Sequence, residues 1–212
     1  MKSDLVQILK QNRIIPVTVF DTIDDALRTA DLLAANSFHI IEITLRTKSS
    51  MESIRRIGEN FPGIIMGAGS VLSRDSLKEA FDCGIQFAVS PAFDPELVDY
   101  SGSLGIPFIP GAATPTELNS ARTRCPMVKI FPASGLGGPK YIRSMSAPFA
   151  MEELNLIPTG GITDENYLEY LAIDRVIACG MTYMTDRGLL RNGDFGEMER
   201  RMKRIRSGLG AL

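Results

Sequence analysis

Two charged residues sit where apolar ones are expected, and each needs a chemical reason. Lys129 lies at the centre of Met127-Val128-Lys129-Ile130-Phe131, and Glu42 lies within Ile40-Ile41-Glu42-Ile43-Thr44-Leu45-Arg46-Thr47. A lone lysine in a strand ordinarily faces solvent or snorkels toward it. In a strand covered on both faces, however, an ammonium is strongly penalised by desolvation. Desolvation favours the neutral amine and brings catalytic lysines to a pKa of about 7–8, where part of the population can attack a carbonyl. Lys129 is therefore read as a Schiff-base nucleophile. Glu42 has two readings. It pairs with Arg46 and ties strand to loop, or strand alternation puts Glu42, Thr44 and Arg46 on one face, with a carboxylate inside the fold and a guanidinium at its mouth.

Two glycine-rich turns are the next feature: Pro158-Thr159-Gly160-Gly161-Ile162 and Cys179-Gly180-Met181-Thr182. Glycines at strand ends often serve only the turn. When such turns follow the seventh and eighth strands of a barrel, though, their backbone N–H groups form an anion site, which makes Gly160, Gly161, Gly180 and Thr182 candidate phosphate ligands. The loop from Ser134 to Pro139, with Gly135, Gly137 and Gly138, is placed to cover the same region.

The elements that must position these residues follow from the apolar pattern. Short β-type runs occur at 14–20, 40–45, 64–68, 87–90, 107–109, 127–131, 156–158 and 176–179, with helical stretches between them. Helix signals include Asp21 as a cap before 22–35, Ser73 before 75–83, and Thr114-Pro115 opening a helix that reaches Arg124. A further helix is expected at about 3–11. Alternating units of this kind predict an α/β fold of a single domain over 1–212, a (β/α)8 TIM barrel, with an open doubly wound sheet as the runner-up. In the last helix, 195–207, Met198, Met202, Ile205 and Leu209 share one face, so Arg200, Arg201, Lys203, Arg204 and Arg206 form its solvated side.

Composition excludes several functions. A formal net charge of −2 offers no basic face to nucleic acid or to an anionic membrane, and no run approaches a membrane span, so a small-molecule partner and a cytoplasmic location are expected. Cys83, Cys125 and Cys179 are dispersed, and His39 is the only histidine, so neither a disulfide framework nor a zinc site is expected. His39 is read as structural.

Taken together the motifs resemble the 2-keto-3-deoxy-6-phosphogluconate / 4-hydroxy-2-oxoglutarate aldolases, class I enzymes with a (β/α)8 fold. The resemblance runs from about Ile14 to Gly208. It rests on Glu42-Ile43-Thr44-Leu45-Arg46-Thr47, Gly67-Ala68-Gly69-Ser70-Val71-Leu72, Ser90-Pro91, Ile109-Pro110-Gly111, Lys129-Ile130-Phe131-Pro132-Ala133 and Pro158-Thr159-Gly160-Gly161-Ile162. It implies that Lys129 is the Schiff-base lysine and that Glu42 moves protons through a bound water. Arg46 and Ser70 would hold the pyruvoyl carboxylate, with Thr47, Pro91 and Thr159 as further substrate contacts. Gly160, Gly161, Gly180 and Thr182 would bind the substrate phosphate.

The implied substrate is a phosphorylated keto-deoxy sugar acid cleaved to pyruvate and a triose phosphate, without cofactor or metal, by a homotrimer. Ser70 stands where the family usually has Thr, which keeps the hydroxyl. Ser134 stands where several gluconate-type members carry Glu, and Lys140-Tyr141-Ile142 looks like the galactonate-type branch, whereas Leu45-Arg46-Thr47 looks like the gluconate type. The galactonate epimer is therefore an alternative substrate. Two rival readings of the residues remain: a non-covalent phosphosugar isomerase or decarboxylase, and a silent sugar-phosphate binder in which Glu42 and Lys129 are only an ion pair.

Overall fold

The structure is a computed structural model that describes residues 2–210. Strands and helices alternate as α1 (Lys2–Asn12), β1 (Ile14–Thr18), α2 (Ile23–Ala35), β2 (Ile40–Thr44), α3 (Ser50–Asn60), β3 (Ile65–Gly69), α4 (Arg74–Asp82), β4 (Phe87–Val89) and α5 (Pro95–Ser103). The chain continues through β5 (Phe108–Ile109), β6 (Gly111–Ala112), α6 (Pro115–Arg122), β7 (Met127–Ile130), α7 (Gly138–Ser146), β8 (Asn155–Pro158), α8 (Tyr167–Leu171), β9 (Cys179–Met181), α9 (Arg187–Arg191) and α10 (Phe195–Leu209). All strand pairs are parallel. They form one six-stranded sheet in the order β5-β4-β3-β2-β1-β9 and one three-stranded sheet in the order β6-β7-β8. Two isolated parallel bridges, Leu156 to Val176 and Thr159 to Gly180, link β8 to the stretch that carries β9.

Apart from half-buried Ile65 at the start of β3, the strands are buried along their whole length, as parallel strands covered on both faces must be. Their alternation divides the core in two. Ile14, Ile41 and Ile43 pack outward against helix residues such as Leu33, Ile54 and Ile57. Ile15, Ile40, Phe87, Ile109, Met127 and Ile157 pack inward, where Leu5, Val6 and Leu9 of α1 join them at the amino ends of the strands. Each fully buried Leu or Ile contributes roughly 1.5–3 kcal/mol. With apolar residues filling the amino half of the interior, the carboxyl half is left for polar groups.

Several local expectations are corrected. Thr22, not Asp21, caps α2: its hydroxyl accepts from the Asp25 amide at 3.1 Å, while Asp21 turns away to pair with Arg187 and Arg191. The fifth run yields two strands, because Pro110 has no N–H to donate and interrupts the ladder between β5 and β6. The eighth strand lies at Cys179–Met181, later than the run 176–179: Val176 bridges to β8, and pairing with β1 starts at Cys179. The α4 and α6 helices end at Asp82 and Arg122, slightly short of the expected ends. Ser73 and Thr114 are both caps, Thr114 in a complete capping box with Glu117. His39 is exposed, and its carbonyl accepts from the Ile65 amide at 2.8 Å. In α10, Met198, Met202 and Ile205 are buried, and Arg200, Arg201, Lys203 and Arg204 pair with Glu197, Glu199 and Asp164; Arg206 departs from the solvated side, half-buried over the Phe38 ring and donating to the Asn36 and Ser37 carbonyls.

Candidate active site

Lys129 and Glu42 come from different sheets and meet inside the molecule. Lys129 sits mid-way along β7, in register with Gly111 on one side and Ile157 on the other, and Glu42 sits in β2 opposite Gly67. The Lys129 ammonium donates to Glu42 Oε1 at 3.3 Å, with the two residues 6% and 2% exposed. Two opposite charges so deeply buried attract each other strongly, but that attraction only roughly offsets what desolvation takes away. An ion pair is thus a poor stability device here, and the placement asks for a chemical use.

Glycines make room for it. A Cβ at Gly69 would fall 2.2 Å from Glu42 Oε1, so only glycine lets the carboxylate lie beside β3. A Cβ at Gly111 would come equally close to the Pro91 carbonyl, so glycine there lets the loop after β4 approach β6 beside Lys129. Phe131 stands over the amine, with Nζ 5.4 Å from the ring centroid, and a Cβ at Gly160 would touch the same ring at 3.4 Å. Through Phe131 the amine and the first glycine-rich turn are neighbours.

Arg46 does not pair with Glu42. It is exposed beyond the end of β2 and donates through Nε to Ser70 Oγ at 2.9 Å. Among the described residues its Nη groups have no acceptor, which leaves that edge for an anion. Ser70 holds the left-handed conformation, φ 59°, immediately after β3, and so presents its hydroxyl to Arg46. Thr47 is occupied otherwise: its hydroxyl donates to the Phe20 carbonyl at 2.5 Å and ties the loop after β2 to the loop after β1.

Thr159 is buried against Gly180, where a Cβ would fall 2.3 Å from its Oγ1. Gly160 and Gly161 both have positive φ, 102° and 72°. Their carbonyls face the loop after β7: the Ser134 amide donates to Gly160 O at 3.0 Å and the Ser134 hydroxyl to Gly161 O at 2.8 Å. Among the described residues the amides of Gly161 and Ile162 have no acceptor. Thr182 is exposed at the head of the short turn Tyr183–Thr185 and its side chain makes no capping bond.

Other nucleophiles are not competitive. All three cysteines are buried, and burial pushes the Cys83 and Cys179 thiols up, away from the reactive thiolate. Among the described residues no cluster of three or more His, Cys, Asp or Glu could hold a metal ion.

Residues 5–201 match the family described as KDPG and KHG aldolase. The chain belongs to this family. It is accordingly an aldolase, a carbon–carbon lyase. Among curated members, it is 33% identical over 202 residues to the 2-dehydro-3-deoxy-phosphogluconate aldolase of Haemophilus influenzae, covering 95% of this chain and 94% of that one. It is 34% identical over 195 residues to the KHG/KDPG aldolase of Escherichia coli, covering 92% and 91%. Among solved structures, the KDPG aldolase of Legionella pneumophila superposes with a TM-score of 0.87 at 29% identity over 93% of this chain and 95% of that one; it holds pyruvate captured at low pH as a covalent carbinolamine intermediate.

Sequence reasoning passed over Gly69, and over Tyr170 and Asn166, whose hydroxyl and amide lie 3.0 Å from Ser134 Oγ and from the Gly161 carbonyl. Gly69 stood inside a quoted motif without a role, since its meaning depends on the Glu42 side chain across the sheet. Tyr170 and Asn166 belong to a stretch whose pattern signals only helix packing.

Proposed function

We propose that this protein cleaves 2-keto-3-deoxy-6-phosphogluconate to pyruvate and glyceraldehyde 3-phosphate through a Schiff base on Lys129, and 4-hydroxy-2-oxoglutarate to pyruvate and glyoxylate by the same route. The observation that carries the reading is the buried Lys129–Glu42 pair, 3.3 Å apart. Glu42 takes a proton from the ammonium, and the neutral amine attacks the C2 carbonyl to give a carbinolamine. Glu42, directly or through water, returns a proton to the departing hydroxyl, leaving an iminium. Removal of the C4 hydroxyl proton toward Glu42 then lets the C3–C4 electron pair flow into the iminium, which releases the aldehyde and leaves an enamine. Protonation at C3 and hydrolysis free pyruvate and the lysine. Arg46 and Ser70 hold the carboxylate beside C2. Pro91 and Thr159 line the pocket, and Gly160, Gly161, Gly180 and Thr182 take the phosphate; in this scheme Thr47 supports the clamp from behind.

The test is borohydride reduction with pyruvate. One adduct is expected, on the peptide containing Val128-Lys129-Ile130. An adduct on another lysine, or none, would overturn the covalent mechanism. Activity retained in EDTA is the matching expectation for a reaction run by side chains alone; loss restored by added Zn²⁺ or Mg²⁺ would contradict it.

We further propose that the strands close into a (β/α)8 barrel of one domain, with β5 and β6 as one strand interrupted at Pro110; the two bridges from β8 toward β9 support this. A crystal structure with those two bridges absent would count against closure. A homotrimer is proposed from the family resemblance, with sedimentation equilibrium at three times the 23.2 kDa chain mass as its check. An odd number of widely spaced cysteines with no C-x-x-C pair supports a reducing, cytoplasmic location, testable by cell fractionation.

A further inference from the structure

The turn after β8 is held from one side by three consecutive hydrogen bonds. Ala133 N donates to Thr159 O at 2.8 Å, Ser134 N to Gly160 O at 3.0 Å and Ser134 Oγ to Gly161 O at 2.8 Å. A second donor, Asn166 Nδ2, reaches Gly161 O at 3.0 Å, so that carbonyl accepts two hydrogen bonds, and Asn166 is itself fixed by the Thr163 amide. Behind Ser134 stands Tyr170, its hydroxyl 3.0 Å from Ser134 Oγ and its residue 1% exposed. A serine hydroxyl has one proton. If that proton is on Gly161 O, the tyrosine must be the donor to Ser134.

Peptide planarity turns these contacts into an aiming device. In a trans peptide the N–H points opposite to the C=O. Holding Gly160 O orients the Gly161 amide, and holding Gly161 O orients the Ile162 amide. Those two amides have no acceptor among the described residues. The approach is close as well: a Cβ at Gly161 would come within 2.6 Å of the Ser134 side chain.

We propose that Ser134 and Tyr170 are positioning residues for phosphate recognition: the relay from Tyr170 through Ser134 to the Gly161 carbonyl fixes the peptide planes that present the Gly161 and Ile162 amides to the substrate phosphate. This rests on the phosphate site of the proposed function. Tyr170 belongs to α8 and is packed in the core, so the relay ties a glycine turn, free to rotate by itself, to a rigid element. Ser134→Ala removes the link and Tyr170→Phe removes its anchor while keeping the ring.

The experiment compares kcat/KM for 2-keto-3-deoxy-6-phosphogluconate with that for unphosphorylated 4-hydroxy-2-oxoglutarate. In both variants the preference for the phosphorylated substrate falls by about three- to tenfold, mainly through KM, the range expected for losing one neutral hydrogen bond. The inhibition constant of inorganic phosphate rises by a similar factor, and Ser134→Thr, which keeps the hydroxyl, retains the preference. A wild-type preference that both variants keep, or a loss shared equally by the two substrates, overturns the relay while leaving the aldolase intact. A wild-type enzyme with no such preference overturns the phosphate site and the relay together, although the borohydride adduct would still establish the covalent chemistry.

Discussion

In the proposed mechanism the Lys129 amine has to serve as both cation and nucleophile, and its surroundings fit that reading. Glu42 lies 3.3 Å from the amine, whose residue is 6% exposed, and Phe131 walls the other side, its ring centroid 5.4 Å from Nζ. Lys129→Arg should therefore fold, since it keeps a cation for Glu42, yet lose aldol cleavage and the borohydride adduct, because a guanidinium does not release its proton. Lys129→Ala should instead lose up to about 3–5 kcal/mol in urea denaturation, because it leaves Glu42 buried alone. Equal stability of the two variants would argue that the pair is not enclosed. Arg46 is a different case, an exposed cation with one nitrogen on Ser70. Arg46→Ala should raise KM by about ten- to a hundredfold with a smaller change in kcat, given about 1.5–3 kcal/mol for a charge-assisted contact. Unchanged kcat/KM would take Arg46 out of the pocket. These residues were legible in the sequence because a charge inside an apolar run is conspicuous. The choice of partner was not, since both Arg46, four positions from Glu42 along the chain, and Lys129, eighty-seven away, were open as its ion-pair partner, and spacing alone does not decide between them.

At the scale of elements, register decides what the residues can do. Glu42 faces inward because β2 begins with inward-facing Ile40, and the carboxylate has somewhere to lie because β3 ends in Gly69, opposite Thr44. Gly69→Ala should fold at a cost of about 1–3 kcal/mol for overpacking. The added methyl must push the carboxylate away from Lys129, so kcat should fall far more than the melting temperature. An alanine variant with wild-type kcat would show that the carboxylate's position is not critical. The sequence pattern located the strands within a few residues, because buried parallel strands are nearly unbroken apolar runs. It placed the eighth strand too early, since Val176, Ile177 and Ala178 are as apolar as the strand itself and only hydrogen-bond partners separate bridge from ladder. The cap of α2 was misplaced for a related reason: Asp21 and Thr22 are both good caps, and Asp21 is claimed by arginines some 166 to 170 residues away, which spacing along the chain does not reveal.

That claim binds the molecule end to end. Asp21 follows β1, and its carboxylate accepts from Arg187 Nε at 3.0 Å and from Arg191 Nε at 3.0 Å, both in α9, so one carboxylate pins the first βα loop to the chain's last quarter. The hydrogen bonds from Arg187 and then Arg191 lower the Asp21 pKa from the ordinary 3.8 to about 2. Glu197 in α10 is lowered to about 2 in the same manner, chiefly by hydrogen bonds from Arg200 and Arg201. A carboxylate whose pKa is depressed on folding contributes its stability above the unfolded value, and loses it as the pH falls through the folded value. The window is therefore from near pH 4 down to about pH 2. Asp21→Asn should melt below the wild type at pH 7, with the gap nearly constant down to about pH 4 and closing toward pH 2, where about half of the wild-type carboxylate is itself protonated. Because both partners are partly solvated, the gap should also shrink in high salt. A gap that stays the same at pH 2 would mean that the asparagine acts through packing or local structure and not through lost charge. If the whole chain is one domain, both proteins should unfold in a single transition at each pH, since this contact joins parts of one cooperative unit; two separated transitions would indicate that the ends of the chain melt independently.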